Sequence, residues 1–196
     1  MVVIMLNKRD LESIKKKIDS YEDSRDKVIK GSRQVIKLSK KIIYSLHRNN
    51  LTDASKYVKE INSSLTQLTK HAKSPKLVSS GSYKVAVQEY VEAICFYHLL
   101  KTKTLPTHTQ LKVDHEYYLL GLIDLVGELV RRAINSAIKE DYKTSVQLKN
   151  LVSELYDELL LFDFAGGELR KKFDSIKYDL KKLEDLVLSL KLNNKI

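Results

Sequence analysis

Residues that end helices are scarce along this chain. Only six glycines and two prolines are spread over its 196 residues. Because glycine and proline interrupt helices more often than other residues do, their scarcity favours long helices joined by a few loops. The sequence shows neither the alternation of apolar and polar residues expected of strands nor an internal repeat. We therefore expect an all-α protein, a bundle of six or seven antiparallel helices.

Length and composition predict a single domain spanning residues 1–196. The chain is 43% apolar and 31% charged, a balance typical of folded helical proteins and not of disordered ones. The apolar run within residues 1–10 is too short for a secretory signal, and the run at 117–130 is too short for a membrane span. Cys95 has no intrachain partner and is interpreted as a core residue. We expect a cytoplasmic protein without a membrane segment.

Apolar periodicity and capping residues predict where the helices lie. Asn49 and Asn50 separate the first two segments, and Asp114 is a plausible N-cap for the fourth. The expected helices cover about 6–48, with a break near 19–23, then 51–72, 81–102, 114–139, 141–164 and 168–192.

Positive charge is concentrated in two parts of the chain. The net charge is +10, and residues 27–52 contain seven basic residues and no acidic one, while residues 61–88 also lack acids. One side of the first predicted helix presents four candidate nucleic-acid contacts, Arg33, Lys37, Lys40 and Lys41. These side chains suit RNA phosphates, or they form a solvated face that keeps the protein in solution; composition alone leaves both interpretations open.

Two acidic pairs interrupt helices that are otherwise apolar. Glu89 and Glu92 are three residues apart on one predicted helix, and Asp124 and Glu128 are four apart on another, so each pair shares a face. If the two helices pack together, the four carboxylates meet, and burial and repulsion raise their pKa values unless a cation neutralises them. Carboxylate oxygens suit Mg²⁺, with Mn²⁺ as the alternative, and such an ion can activate water towards a phosphodiester.

Ordinary ion pairs are the alternative explanation of these acids. Lys84, Arg131 and Arg132 are available as partners, and structural ion pairs also perturb pKa values. The occurrence of the same arrangement on two helices favours a shared site. The histidines form no zinc-binding pattern, so a zinc site is not expected.

Four segments of the chain resemble the translin family. QEYVEA at 88–93 and YLLGLIDLVGEL at 118–129 are similar to the translin-associated factor X (TRAX) side of that family. The segment RDKVIKGSRQVIKLSKKIIYSLHR at 25–48 resembles its first basic helix, and LRKKFDSIKYDLKKLEDLVLSL at 169–190 resembles the C-terminal helix of translin. All four occur in the family's order.

The resemblance implies a translin-like helical bundle with the activity of TRAX, a Mg²⁺-dependent endoribonuclease. It makes Glu89, Glu92 and Asp124 the expected catalytic metal ligands, with Glu128 as a fourth. It also implies a homo-oligomer, an octamer, that encloses its active sites and cleaves single-stranded or short structured RNA. The translin-like C-terminus and the short linker before residue 114 resemble archaeal members, which work as a single chain type.

Two further hypotheses stay open at this point. Translin itself binds nucleic acid and lacks the acidic set, so a non-catalytic protein that binds single-stranded RNA or DNA is the main alternative. A helical scaffold whose acids form ordinary ion pairs is the third. The physiological RNA, the number of metal ions and the general base are not decided by the sequence.

Overall fold

The computed structural model describes residues 6–196, and all regular structure within that range is α-helical. The helices are α1 (Lys8–His47), α2 (Leu51–His71), α3 (Pro75–Val78), α4 (Gly81–Thr102), α5 (His108–Leu111), α6 (His115–Ile138), α7 (Tyr142–Leu160) and α8 (Gly167–Leu192). Six are long and two are single turns, which confirms the expected all-α fold. Residues 1–5, part of the run weighed as a secretory signal, lie outside the described residues.

The expected break in the first helix is wrong. α1 continues without interruption for 40 residues and passes through residues 19–23 as regular helix. That stretch is polar but contains neither glycine nor proline, and Lys27 pairs with Asp23 one turn earlier. A polar run on an exposed helix face is therefore compatible with continuous helix.

The two single-turn helices, α3 and α5, are too short to show a helical spacing of apolar residues in the sequence. Ser74 caps α3, which starts with Pro75, and Thr107 and Gln110 form a reciprocal capping box around α5. These local hydrogen bonds hold one turn of helix in each connection. They account for the difference between the predicted count and the observed one.

Asp114 caps α6, as the sequence predicts. Its carboxylate accepts a hydrogen bond from the backbone N–H of Glu116 at 2.8 Å. An N-cap fixes the residue at which a helix begins, and so fixes which residues share each face further along. The start at His115 therefore sets the direction of the later acids Asp124 and Glu128.

The helices form a packed series. α1 packs against α2 and α4, α4 packs against α6, and α6 packs against α7 and α8. The short connections 48–50 and 139–141 join packed neighbours, which therefore run antiparallel. One side of α1 is apolar and fully buried; it carries Val28, Val35, Leu38, Ile42 and Leu46.

Helix α4 lies between α1 and α6 and carries the centre of the core. Phe96 and Cys95 are completely buried there, and burial raises the pKa of the Cys95 thiol to about 12. The thiol is therefore protonated at neutral pH and serves as a packing group, as the sequence indicates. No helix within residues 6–196 is long and apolar enough to cross a membrane.

Candidate metal centre

Helices α4 and α6 approach each other closely at Gly121. A Cβ atom added to Gly121 would lie 2.6 Å from the Cβ of Val91 and 2.8 Å from the carbonyl oxygen of Gln88. Both distances are shorter than side chains tolerate, so the absence of a side chain permits this approach. Gly121 is one turn before Asp124, and its contacts Gln88 and Val91 directly precede Glu89 and Glu92. The approach therefore brings the acidic residues of the two helices together.

The charges of the other predicted acids act on both glutamates of α4. Burial is the main reason that the pKa of Glu92 is raised to about 8, and the carboxylates of Asp124, Glu89 and Glu128 raise it further. Burial likewise raises the pKa of Glu89, with smaller contributions from Asp124 and Glu128. These charge effects are consistent with acids of α4 and α6 that lie near one another, and their role as ligands stays a prediction.

Glu89 and Glu92 lack a neutralising partner. Both side chains are partly buried, and within residues 6–196 neither forms an ion pair or a side-chain hydrogen bond. Desolvated carboxylates without a partner are unfavourable in the charged form. The pair therefore favours either protonation or a bound cation.

Asp124 is paired with a base that the sequence does not indicate. The ammonium of Lys172, in α8, donates to both carboxylate oxygens of Asp124 at 2.6 and 2.7 Å. Lys84, one of the partners considered from the sequence, instead reaches Glu168 at 3.0 Å and Glu116 at 3.5 Å. The C-terminal helix is thereby part of the site.

Glu128 is paired with His47 at the end of α1. The Nε2 atom of His47 contacts the Glu128 carboxylate, and this hydrogen bond is the main reason that the pKa of Glu128 is lowered. Arg131 lies further away, at 3.7 Å from the same carboxylate. The His47 ring packs against Phe96 at 5.2 Å between ring centres, which fixes its orientation.

Arg132 connects α6 to the end of α1 and pairs with none of the four acids. Its guanidinium donates to the carbonyl oxygen of Leu46 and to the side-chain oxygen of Asn49, both at 3.0 Å. These bonds satisfy groups at the C-terminus of α1 next to His47. Arg132 therefore stabilises the position of the histidine that contacts Glu128.

His47 and Lys172 are the two site residues that sequence reasoning missed. Lys172 is 48 residues from Asp124, and His47 is 81 residues from Glu128. Neither belongs to a spaced motif, since His47 lies within a basic stretch and Lys172 stands in a lysine pair. Only the packing of α1 and α8 against the central helices brings them to the acids.

The donor set fits a hard divalent cation, while the side-chain conformations fit ion pairs. Within residues 6–196, no three His, Cys, Asp or Glu side chains are already arranged as a metal-binding group. Asp124 is turned to Lys172 and Glu128 to His47, which accounts for this. Carboxylate oxygens from two facing helices, two of them without partners, are nevertheless the ligands that Mg²⁺ and Mn²⁺ prefer.

The four predicted nucleic-acid contacts are exposed on α1 but do not form one cluster. Lys40 lies on the side of the acidic site, where its charge opposes the rise in the pKa of Glu89. Lys41 lies on the side of α2, with its ammonium 4.9 Å from the centre of the Tyr57 ring. Arg33 and Lys37 line a groove between α1 and α2. Their binding role stays a prediction.

That groove, which we call the basic groove, is formed by the two acid-free stretches of the sequence. It encloses about 500 Å³, and its polar lining comes from both helices: Lys27, Lys30, Arg33, Gln34 and Lys37 of α1 with Ser64, Gln67 and His71 of α2. An adjoining depression adds Lys70 and Lys73. The sequence indicates both stretches, but the contribution of α2 to a single surface becomes visible only when the helices pack.

A helical bundle of this kind is the fold of known structures. The crystal structure of apo-NeC3PO matches with a TM-score of 0.87 and 28% identity, over 95% of this chain and 98% of that one. The structure of an AfC3PO–duplex RNA complex shares the fold, with a TM-score of 0.80 and 24% identity over 94% of this chain and 97% of that one. The Translin family model matches residues 23–194, so this chain belongs to the translin family.

Relatives on both sides of the family are similar to this chain. Translin-associated protein X of Mus musculus is 27% identical over 226 residues, covering 92% of this chain and 77% of that protein. An uncharacterized protein of Methanocaldococcus jannaschii is 29% identical over 88% of this chain and 78% of its own length. Translin of Gallus gallus is 36% identical, but over only 41% of this chain and 35% of its own length. The resemblance found in the sequence is confirmed.

Proposed function

We propose that this protein is a metal-dependent endoribonuclease of the translin/TRAX type. Mg²⁺, or Mn²⁺ in its place, would be held by Glu89, Glu92, Asp124 and Glu128, and the substrate would be single-stranded or short structured RNA. The observation that carries the proposal is the close approach of α4 and α6 at Gly121, across which acids of α6 act on Glu92, with two of the carboxylates unpaired.

The chain's own residues account for binding and orientation at such a site. A divalent ion would supply an activated water and stabilise negative charge that develops on the phosphate. Glu92, whose pKa is about 8, retains a proton at neutral pH until a cation replaces it. His47 holds the Glu128 carboxylate in one orientation, because its own ring is packed against Phe96.

The basic groove supports RNA as the substrate. AfC3PO, which has the same fold, has a known structure in complex with duplex RNA. In this chain Lys30 lies in the groove and Lys40 lies beside the acids, and these two positions are about 15 Å apart along α1. A phosphate backbone bound along α1 would therefore lead to the acidic site. Such contacts bind with little sequence preference and weaken strongly with salt.

Exposed apolar residues support the proposal that the protein works as a homo-oligomer, an octamer as the family resemblance implies. Leu11, Ile14 and Ile18 are 48%, 44% and 56% exposed and recur at helical spacing along the first part of α1. Such a contiguous apolar stripe is typical of a surface that another chain covers. Light scattering coupled to size exclusion measures the number of subunits.

A cleavage assay tests the proposed activity. End-labelled RNA is incubated with the protein in Mg²⁺, in Mn²⁺ and in EDTA, and compared with a Glu89→Gln/Asp124→Asn double variant. We expect fragments in either metal and none in chelator or with the variant. Cleavage that persists in EDTA, or in the double variant, excludes this mechanism. Control gel shifts in EDTA check that the variant still binds RNA.

One observation favours the second candidate, a non-catalytic protein that binds RNA or single-stranded DNA. Asp124 already pairs with Lys172 and Glu128 with His47, so two of the four acids have partners without a metal. This candidate predicts salt-sensitive gel shifts of intact RNA in Mg²⁺ with no fragments. The same gel therefore separates the two functions.

A further inference from the structure

Lys172 reaches the acidic site from a third helix. In addition to its two hydrogen bonds to Asp124, its charge acts on both glutamates of α4, where it opposes the rise in their pKa values. The ammonium therefore faces carboxylates from α4 and α6 at once. It is partly buried, with 31% of its side chain exposed.

Among the lysines of residues 6–196, only Lys172 forms an ion pair with one of the four acids. Two other basic residues pair with these acids, His47 and Arg131, and both contact Glu128. Lys40 acts on Glu89 without forming an ion pair. Asp124 thus depends on Lys172 alone for its positive partner.

A divalent cation and the Lys172 ammonium compete for the carboxylate oxygens of Asp124. Both oxygens of that carboxylate already accept hydrogen bonds from the ammonium, and a metal ion needs at least one of them. Two cations a few ångströms apart also repel each other. A metal ion that binds Asp124 on the side bridged by the ammonium therefore displaces it. The flexible four-carbon stem of lysine allows this while α8 keeps its place.

We propose that Lys172 is a displaceable counter-ion of the metal site, which neutralises Asp124 until a divalent cation binds and then binds a phosphate oxygen of the RNA. The inference rests on the proposed function, because it requires both the cation and the RNA. A displaced ammonium stays beside the position where the scissile phosphate would lie, and lysine binds phosphate as a compact point charge. The same side chain thus exchanges one anionic partner for another.

The test compares Lys172→Met with Lys171→Met and Lys172→Arg. Methionine keeps an unbranched stem and removes the charge, Lys171 is an exposed neighbour on the same helix, and arginine keeps the charge. Mn²⁺ affinity is measured by electron paramagnetic resonance of the free ion, KM for RNA by cleavage, and folding by urea denaturation. We expect Lys172→Met to bind Mn²⁺ about tenfold more tightly and to show a KM about tenfold higher. The other two variants should resemble the wild type in Mn²⁺ affinity.

The outcomes separate this inference from the proposed function. If the wild type binds Mn²⁺ and Lys172→Met binds it no more tightly, Lys172 does not compete for the site and the inference is wrong. An unchanged KM in Lys172→Met excludes the contact with phosphate. If the wild type itself binds no Mn²⁺, the proposed function fails and the role of Lys172 fails with it.

Discussion

Gly121 of α6 lies against Val91 of α4 at a distance that leaves no room for a side chain, since an added Cβ would be 2.6 Å from the Cβ of Val91. Val91 precedes Glu92 directly, and Gly121 is three residues before Asp124. The separation of the two helices, and hence the distance between their acids, depends on this contact.

The first prediction concerns that contact. Gly121→Ala should lower the free energy of unfolding by about 1–3 kcal/mol, because the methyl group overpacks the interface. By separating the helices it should also weaken Mn²⁺ binding. Urea denaturation and metal titration measure the two effects. Gly127→Ala on the same helix is the matched control: a Cβ there meets nothing within 4 Å, so this variant should be as stable as the wild type or more so. Equal behaviour of both variants would show that the contact does not set the separation.

The second prediction concerns pH and Glu92. Its pKa in the folded protein is about 8, above that of an ordinary glutamate, so between about pH 4.5 and 8 the folded chain binds more protons than the unfolded chain. The contribution of Glu92 to the free energy of unfolding is therefore fully present below about pH 4.5 and is lost as the pH rises towards 8. Glu92→Gln should remove this dependence and be more stable than the wild type at pH 8 by up to about 4 kcal/mol.

Urea denaturation without divalent ions, at pH 5 and at pH 8, provides the measurement for Glu92→Gln. The advantage of the variant should shrink as the pH falls. Saturating Mg²⁺ should stabilise the wild type at pH 8 more than the variant, since a bound cation neutralises the charged carboxylate. If the stability difference between the variant and the wild type is the same at pH 5 and at pH 8, the pKa of Glu92 is not raised by burial.

The third prediction concerns the basic groove. Arg33→Gln and Lys70→Gln should each weaken RNA binding and reduce the salt dependence of log K by about one unit, because each removes one phosphate contact. Fluorescence anisotropy over a range of KCl concentrations measures this slope. Lys181→Gln, an exposed lysine on α8, serves as the control for the loss of one charge. Should Lys181→Gln change the slope as much as the groove variants do, the groove is not the binding surface.

The fourth prediction compares two adjacent arginines. Arg132→Ala removes the hydrogen bonds to Leu46 and Asn49 at the end of α1 and should destabilise the protein by about 1–3 kcal/mol. Arg131→Ala should change stability by less than about 0.5 kcal/mol, because its side chain is 60% exposed. Thermal denaturation of both variants provides the comparison. A larger loss of stability in Arg131→Ala than in Arg132→Ala would contradict the structural role of Arg132.

The sequence predicts those parts of this protein that depend on local chemistry. The range of α4, residues 81–102, agrees with the prediction at both ends, and Asp114 caps α6 as expected. Helical periodicity and capping depend on residues close together in the chain, so they can be recognised in a single sequence. The same applies to the shared face of each acidic pair, which follows from spacing alone.

The features that the sequence does not predict depend on packing between distant segments. Lys172 and His47 become site residues only because α8 and α1 pack beside α6, and neither has a local motif. Gly121 is one of six glycines, and nothing near it indicates that it lies at the α4–α6 contact. The sequence predicts that the acids of two helices lie near one another, but not which basic residues pair with Asp124 and Glu128.

The central claim, a cation held between α4 and α6, is tested most directly by a crystal structure of the protein soaked in Mn²⁺ with anomalous diffraction data. We predict an anomalous peak within coordination distance of Glu92 and Asp124, with the Lys172 ammonium moved off the Asp124 carboxylate. Well-ordered helices with no anomalous peak between them, and Lys172 still hydrogen-bonded to Asp124, would contradict the account.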